Sequence, residues 1–220
     1  MNHREQSARQ TLADVMKKLY SRGLISVYGG NASMVLSDDN ALLITPSGFN
    51  KENLKEEDLV KVDFASGKVV GEGKPSSELR THLAIYGANK EAKAVVHAHP
   101  PTLVGLCTSG FDFGVYTPEQ ALLVDKPMVI NFCMGQELAE RMSALAGTCQ
   151  AVVVKNHGVF AWGPTIMEAY AKIEILEEAA KMVAAGNVIM GGLGVSSLSD
   201  EQVLDILKNY KPSHGKTNGV

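Results

Sequence analysis

The sequence predicts an α/β protein in which helices cover a mixed, largely antiparallel sheet. Helical and strand-like segments alternate along the 220 residues, which is typical of this fold class. Short strands separated by tight turns fill the N-terminal third, as in an antiparallel meander. Hydrophobic residues make up 45% of the chain and charged residues 20%, the composition of an ordinary globular protein.

The N-terminal third is predicted to contain one helix and two strands. Apolar side chains recur at the helical interval in residues 7–22, and Gly23 follows where a helix commonly ends. Two glycines open the segment 28–36, which continues as a strand, and residues 42–45 form the next strand. The turn-forming residues 38–40 separate the two strands. We therefore expect these strands to pair antiparallel.

The rest of the chain is predicted to interleave helices and strands. Helices are expected at residues 73–89, 136–146, 164–185 and 200–209, and strands at residues 94–99, 128–130, 151–154 and 159–162. Ser199 and Gln202 have the spacing of a capping box, which predicts that the last helix begins at Asp200. We expect residues 1–210 to form one domain and the polar residues 211–220 to form a flexible tail.

Composition and charge exclude several classes of function. The net charge is −3 and no stripe of lysine or arginine is present, which argues against nucleic-acid binding. No uncharged apolar run reaches the roughly 18 residues that a membrane span needs, and the polar N-terminus does not resemble a signal peptide. Cys107, Cys133 and Cys149 lack metal-site spacing. Reduced thiols in a cytoplasmic protein are expected.

Three histidines follow or end predicted strands. In a strand over residues 94–99, His97 and His99 point to the same face, close enough together to hold one cation. Hydrogen-bonded histidines at a strand end are the structural alternative. His157 follows the apolar strand 151–154. Three imidazoles at strand ends match a catalytic zinc site with one open position.

A carboxylate and several small polar residues complete the candidate site. Glu78 is expected in the first turn of a helix, where the helix dipole favours a carboxylate whatever its function. Ser76 and Ser77 precede it, near backbone N–H groups that can bind an anion. The turns at residues 29–33 and 45–48 offer similar groups, although each alone is also a plain turn. Together they predict a phosphate pocket without arginine.

Five motifs together resemble the class II aldolase/adducin family. They are GNAS (30–33), TPSG (45–48), KPSSE (74–78), VVHAH (95–99) and NHG (156–158). Their order and approximate spacing are those of the family, and the resemblance covers about residues 5–190. Within the family, the chain is most similar to the short sugar-phosphate aldolases of the L-fuculose-1-phosphate aldolase type.

The resemblance implies a three-layer α/β/α fold and a homotetramer with active sites between subunits. It implies a Zn²⁺ ion, with Co²⁺ or Mn²⁺ as alternatives, held by His97, His99, His157 and Glu78. Glu78 would also act as the base when substrate displaces it from the metal. The residues that would hold the substrate phosphate are Asn31, Ser47, Gly48, Ser76 and Ser77.

The reaction implied is the reversible cleavage of a ketose 1-phosphate to dihydroxyacetone phosphate and an aldehyde. A metal acts as a Lewis acid for the charge that develops beside the carbonyl, and Glu78 moves the proton on carbon. Tyr116 lies near the position where the family carries a tyrosine from a neighbouring subunit, which serves the aldehyde oxygen. The following residues 117–120 depart from the family, so core packing is the alternative for Tyr116. Tyr210 is a second candidate.

Three other functions compete with the aldolase. A pentulose-phosphate 4-epimerase resembles the aldolases but carries aspartate at the position of Glu78. A methylthio-pentulose-phosphate dehydratase has a different loop in place of the PSSE segment. A non-catalytic adducin-like module lacks the metal ligands that are present here. The sequence leaves the identity of the sugar open, and it also leaves open whether the substrate is phosphorylated.

Overall fold

The computed structural model describes residues 3–36, 40–192 and 194–210. The helices are α1 (His3–Ser21), α2 (Leu79–Ala88), α3 (Pro101–Thr108), α4 (Pro118–Leu123), α5 (Gly135–Leu145), α6 (Ile166–Ile189) and α7 (Asp200–Asn209). The strands are β1 (Asn31–Leu36), β2 (Ala41–Ile44), β3 (Val60–Asp63), β4 (Ala94–Ala98), β5 (Met128–Ile130), β6 (Ala151–Val154) and β7 (Gly158–Gly163). Short 3₁₀ helices span Lys51–Asn53 and Glu56–Asp58. The expected tail 211–220 and residues 38 and 39 of the expected turn lie outside the described residues.

All seven strands form one sheet in the order β3-β2-β1-β4-β7-β6-β5. Every neighbouring pair is antiparallel except β5 and β6, which are parallel. The first three strands lie side by side in chain order, so the predicted N-terminal meander is confirmed. The sheet is mixed and largely antiparallel, as the sequence predicted.

Helices pack on both faces of the sheet and create two apolar cores. One core joins the sheet to α1, α3 and α6, and the other joins it to α2 and α5. Neighbouring residues of β4 enter opposite cores, Val95 with α2 and α5 and Val96 with the other helices, because side chains alternate along a strand. The predicted three-layer arrangement is therefore confirmed.

The helix predicted over residues 73–89 begins only at Leu79. The chain before it is held extended by a β-bridge between Pro46 and Pro75, so its backbone groups pair with the neighbouring loop and not along a helix. The expectation that Glu78 lies in the first helical turn is wrong. Glu78 occupies the N-cap position, where its side chain makes no capping hydrogen bond and is available for other contacts.

One strand and two α-helices were not predicted, namely β3, α3 and α4, and neither were the two 3₁₀ helices. Both α-helices have proline at the start, a position that proline favours. Thr117 caps α4 by accepting a hydrogen bond from the Gln120 backbone N–H.

The predicted capping box at Ser199 is confirmed at the start of α7. Among the described helices, none has the length and apolar character of a membrane span.

Candidate active site

The three histidines meet where adjacent strands end. His97 is in β4, and His99 directly follows that strand, so both project to the same side. His157 lies in the turn between β6 and β7, and β7 is the neighbour of β4 in the sheet. Asn156 adopts a positive φ of 57° in this turn, a conformation that asparagine tolerates better than most residues. Strand pairing thus brings together side chains 60 residues apart in the sequence.

The imidazole nitrogens and one carboxylate converge on a single point. The Nε2 atoms of His97 and His99 are 3.0 Å apart, and the three histidines offer ring nitrogens that all lie within 4.8 Å of one another. Glu78 Oε1 is 3.1 Å from His157 Nε2, and Glu78 Oε2 is 3.4 Å from His97 Nε2. The group of His97, His99, His157 and Glu78 is called the His–Glu cluster below.

The protonation of the histidines suits a metal ion. His97 Nδ1 donates to the Val159 backbone carbonyl at 3.0 Å, which orients the lone pair of Nε2 toward the cluster, as in the outer shell of many metal sites. Burial lowers the pKa of His97 to about 3 and also lowers the pKa of His99. Neutral imidazoles are the form that binds metals. The residues present therefore fit a divalent cation.

The carboxylate of Glu78 is ionised at neutral pH. Burial raises its pKa, but the electrostatic effect of His97 and hydrogen bonds involving His157 and Asn31 outweigh burial, so that the net pKa lies well below its ordinary value. An anionic oxygen beside neutral imidazoles completes a set of donors typical of zinc.

A buried chain of hydrogen bonds supports Glu78 from behind. Asn31 Nδ2 donates to Glu78 Oε2 at 2.7 Å, and Asn31 Oδ1 accepts from His82 Nε2 at 2.6 Å. His82 Nδ1 lies 2.7 Å from Ser33 Oγ, which is 2.8 Å from the Tyr86 hydroxyl. Because an amide oxygen can only accept, His82 fixes which end of the Asn31 amide faces Glu78.

Sequence reasoning assigned no role to His82. Its side chain is completely buried, and burial lowers its pKa to about 4, so that it is neutral at physiological pH. One signal could have identified it: His82 follows Glu78 by four residues, a spacing that brings side chains together at the start of a helix.

A cavity of about 340 Å³ opens beside the His–Glu cluster. The cluster lines this cavity, and so do all the predicted phosphate-binding residues, which are Asn31, Ser47, Gly48, Ser76 and Ser77. The mouth also contains apolar side chains that sequence reasoning did not assign, namely Tyr28, Phe132 and Met134, which are exposed.

The two loops that carry the serines are joined by their backbones. The Ser47 N–H donates to the Lys74 carbonyl at 2.9 Å, and the Ser76 N–H donates to the Thr45 carbonyl at 3.0 Å. The Glu78 N–H donates to Ser76 Oγ at 3.3 Å. These bonds place the two serine-bearing loops against each other at one end of the cavity.

Close packing requires a glycine at position 158, directly after His157. A Cβ at Gly158 would lie 2.4 Å from the Ala98 carbonyl oxygen and 2.7 Å from ring carbons of both His97 and His99. No side chain fits at that distance. The glycine of the NHG motif therefore allows the turn to approach the two other histidines.

The two candidate tyrosines lie elsewhere in the chain. Tyr116 packs its ring edge against Phe113, with 5.3 Å between ring centroids, and its hydroxyl accepts from the Gly114 N–H at 3.5 Å. Tyr210 is exposed beyond α7. Neither is among the described residues that line the cavity. The prediction that Tyr116 serves a neighbouring subunit stays a prediction.

Fold and site together define an α/β protein with a candidate metal centre at the ends of adjacent strands, open to a polar cavity. Residues 10–184 match the family described as Class II Aldolase and Adducin N-terminal domain. The chain belongs to this family, as its motifs indicated.

Several individual proteins are similar to this chain. An L-fuculose phosphate aldolase of Methanococcus vannielii is 39% identical over 166 residues, covering 74% of this chain and 88% of the relative. A 3-oxo-tetronate 4-phosphate decarboxylase of Haemophilus influenzae is 33% identical over 205 residues, covering 90% and 95%. The crystal structure of YgbL from Escherichia coli, described as an aldolase/epimerase/decarboxylase, superposes with a TM-score of 0.83 at 29% identity, covering 92% and 99%.

These comparisons place the chain in an enzyme family whose members are named as aldolases and decarboxylases. Class II aldolases depend on a metal, and the three histidines form a group that could hold one.

Proposed function

We propose that this protein is a metal-dependent lyase that reversibly cleaves a ketose 1-phosphate to dihydroxyacetone phosphate and an aldehyde, as an L-fuculose-1-phosphate aldolase does. The observation that carries the proposal is the convergence of three imidazoles and an ionised carboxylate beside a polar cavity. His97, His99 and His157 are proposed to hold Zn²⁺, with Co²⁺ or Mn²⁺ as alternatives.

The bound ion would supply a Lewis acid that polarises the substrate carbonyl. Glu78 is proposed to bind the ion in the free enzyme and to transfer a proton once substrate is bound. In cleavage, the C4 hydroxyl would give its proton to the base at the aldehyde oxygen, the bond between C3 and C4 would break to release the aldehyde, and the electron pair of that bond would form an enediolate with the C2 carbonyl. Glu78, having taken up a proton from solvent after substrate displaces it, would then give C3 a proton, and in the reverse direction its carboxylate would remove one. The low pKa of Glu78 in the free protein supports a base that is ionised before substrate binds.

The phosphate is proposed to lie against the loops that carry Ser47, Gly48, Ser76 and Ser77, with Asn31 beside Glu78. Hydroxyl and amide donors are suited to phosphate oxygens. We also propose a cytoplasmic homotetramer in which a neighbouring subunit brings Tyr116 to the aldehyde oxygen. The exposed aromatic and methionine side chains at the cavity mouth support coverage by another subunit.

A second candidate function is decarboxylation of a 3-oxo acid phosphate, which the similarity to the Haemophilus influenzae decarboxylase favours. Loss of CO₂ from a 3-oxo-tetronate 4-phosphate breaks the bond between C1 and C2 and leaves an enediolate. Protonation of that enediolate gives dihydroxyacetone phosphate, the same product as ketose cleavage. This reaction removes no proton from a substrate hydroxyl, so it needs no counterpart of Tyr116. The absence of Tyr116 from the described cavity lining of its own chain is therefore compatible with decarboxylation.

A substrate panel distinguishes the two reactions. Purified protein is incubated with L-fuculose 1-phosphate, other ketose 1-phosphates and 3-oxo-tetronate 4-phosphate, with and without a chelator. Dihydroxyacetone phosphate and CO₂ are both measured. We expect chelator-sensitive dihydroxyacetone phosphate from a ketose 1-phosphate without CO₂. Equimolar CO₂ and dihydroxyacetone phosphate from the oxo acid alone would replace the aldolase with the decarboxylase. If none of these compounds gives a product, epimerase or dehydratase chemistry becomes the next assignment to test.

A further inference from the structure

A buried lysine lies next to the proposed phosphate pocket. Lys51 is only 2% exposed, and its ammonium donates to the backbone carbonyls of Pro46 at 3.3 Å and Phe49 at 3.1 Å. Among the ion pairs of the described residues, none involves Lys51. A buried charge without an opposite charge is costly. Burial accordingly lowers the pKa of Lys51.

The position of this ammonium indicates which kind of anion it could bind. Lys51 lines the same cavity as Ser47, Gly48, Ser76 and Ser77. No other lysine or arginine is present among the described residues that line it. An ammonium has three donors, and the two carbonyls of the Pro46–Phe49 loop use two of them. One N–H has no partner among the described residues, on a side chain that lines the cavity.

A second buried lysine provides an internal comparison. Lys172 is 6% exposed and donates to the Trp162 carbonyl at 2.7 Å. Burial lowers its pKa, and the nearby Glu168 partly opposes that change. Lys172 therefore has both a shorter hydrogen bond and a carboxylate that stabilises its charge. Lys51 has neither, and it faces a cavity lined with the donors that suit a phosphate.

We propose that Lys51 supplies the positive charge that binds the phosphate of the substrate, so that the site selects phosphorylated compounds over their neutral analogues. The inference rests on the proposed function, because it uses the same cavity. The serine hydroxyls provide direction, and the lysine acts as a point charge for the dianion. Nothing in the motifs assigned this role, because Lys51 belongs to none of them.

The proposal is tested by phosphate binding without turnover. Inorganic phosphate is titrated by calorimetry into the metal-loaded protein and into chelator-treated protein, so that phosphate bound to the metal is recognised. The variants are Lys51→Met, which removes the ammonium, and Lys51→Gln, which keeps an amide donor for the two carbonyls. Lys172→Met is the control for loss of a buried lysine outside this cavity.

We expect both Lys51 variants to bind phosphate at least about tenfold more weakly than the wild type, and Lys172→Met to bind it unchanged. Without phosphate, Lys51→Gln should keep a melting temperature close to that of the wild type, because its amide can still donate to a carbonyl of the Pro46–Phe49 loop while the buried charge is removed. Wild-type phosphate affinity in Lys51→Gln would overturn the proposal in favour of a structural lysine. Absence of metal-independent phosphate binding in the wild type would also overturn it.

Failure of this proposal can be separated from failure of the proposed function. Lys51-dependent phosphate binding without turnover of any panel substrate would leave the inference standing and remove the aldolase and decarboxylase assignments. Formation of dihydroxyacetone phosphate with a wild-type KM in Lys51→Gln would overturn the role of Lys51 and leave the proposed function standing.

Discussion

Two glutamates occupy opposite kinds of environment in this protein, one buried and one half-buried beside the cavity. Glu177 of α6 is 1% exposed and accepts three hydrogen bonds at the start of α3. They come from the Thr102 N–H at 3.3 Å, the Thr102 hydroxyl at 2.7 Å and the Leu103 N–H at 2.9 Å. Glu78 accepts from the Asn31 amide, and its oxygens otherwise face the imidazole nitrogens of His97 and His157.

The difference distinguishes a structural carboxylate from a functional one. All three partners of Glu177 donate to it, and two of them are backbone N–H groups at a helix start that need an acceptor. The partners of Glu78 include the Nε2 atoms of His97 and His157, ring nitrogens that bind a metal ion when they carry no proton. A carboxylate oxygen and a nitrogen lone pair repel unless a proton or a cation lies between them. The environment of Glu78 is therefore suited to binding a cation and transferring a proton, whereas that of Glu177 is suited to stability.

The largest effect is expected for Glu78→Gln. The amide cannot transfer a proton as the carboxylate does, so kcat should fall by about 10²–10⁴-fold, the usual contribution of general acid–base catalysis. Stability should change little, because glutamine keeps the shape and its amide oxygen can still accept from Asn31 Nδ2. Release of dihydroxyacetone phosphate by stopped-flow or coupled assay measures the rate, and thermal unfolding measures the stability.

Glu177→Gln is the matched control for that variant. Both substitutions replace one carboxylate with an amide of the same shape, so a general effect of charge removal would appear in both. Full activity in Glu78→Gln would remove the proposed role of Glu78. An equal loss of activity in the two variants would show that the contrast between the two glutamates is not functional.

A smaller effect is expected for Glu177→Gln itself, on stability. Its amide nitrogen cannot accept the hydrogen bond that a carboxylate oxygen accepts, so at least one buried donor at the start of α3 loses its partner. An unsatisfied buried donor costs about 1–3 kcal/mol, and the free energy of unfolding in urea should fall by this amount. The value of kcat/KM should stay within about twofold of the wild type. A change in kcat/KM without a change in stability would contradict the structural role.

The sequence predicted the convergent residues better than their surroundings. His97 and His99 could be placed on one face because strand side chains alternate, and His157 could be placed at a strand end. Lys51 could not be recognised, because a lysine in a polar loop is usually exposed. Its burial depends on how the loop folds over the ammonium.

The limits of the functional prediction have a similar cause. A decarboxylase was not among the predicted activities, although a relative has that name. The motifs that were recognised provide the candidate metal and phosphate residues, which the proposed aldolase and decarboxylase reactions would share. The two reactions differ at the end of the substrate away from the phosphate, and no motif marks the residues that would contact that end.

The smallest effect is expected at His82, which acts on Glu78 through Asn31. His82→Leu leaves the Asn31 carbonyl without its donor, so the amide no longer has a fixed orientation toward Glu78. One hydrogen bond contributes about 0.5–1.5 kcal/mol, so kcat/KM should fall by up to about tenfold. Metal content, measured by atomic emission, should not change. His82→Gln can donate to Asn31 again, and it should recover most of the activity.

The pH profile separates this positioning role from a loss of packing. The Asn31 hydrogen bond favours ionised Glu78 and lowers its pKa, so weakening that bond raises the pKa. Because Glu78 must be ionised in the free enzyme, the acidic limb of kcat/KM should move to higher pH in His82→Leu and return in His82→Gln. A uniform loss of activity with an unmoved acidic limb would mean that His82 only fills space beneath the sheet. The distinction between the two glutamates would then rest on the imidazoles of the His–Glu cluster alone.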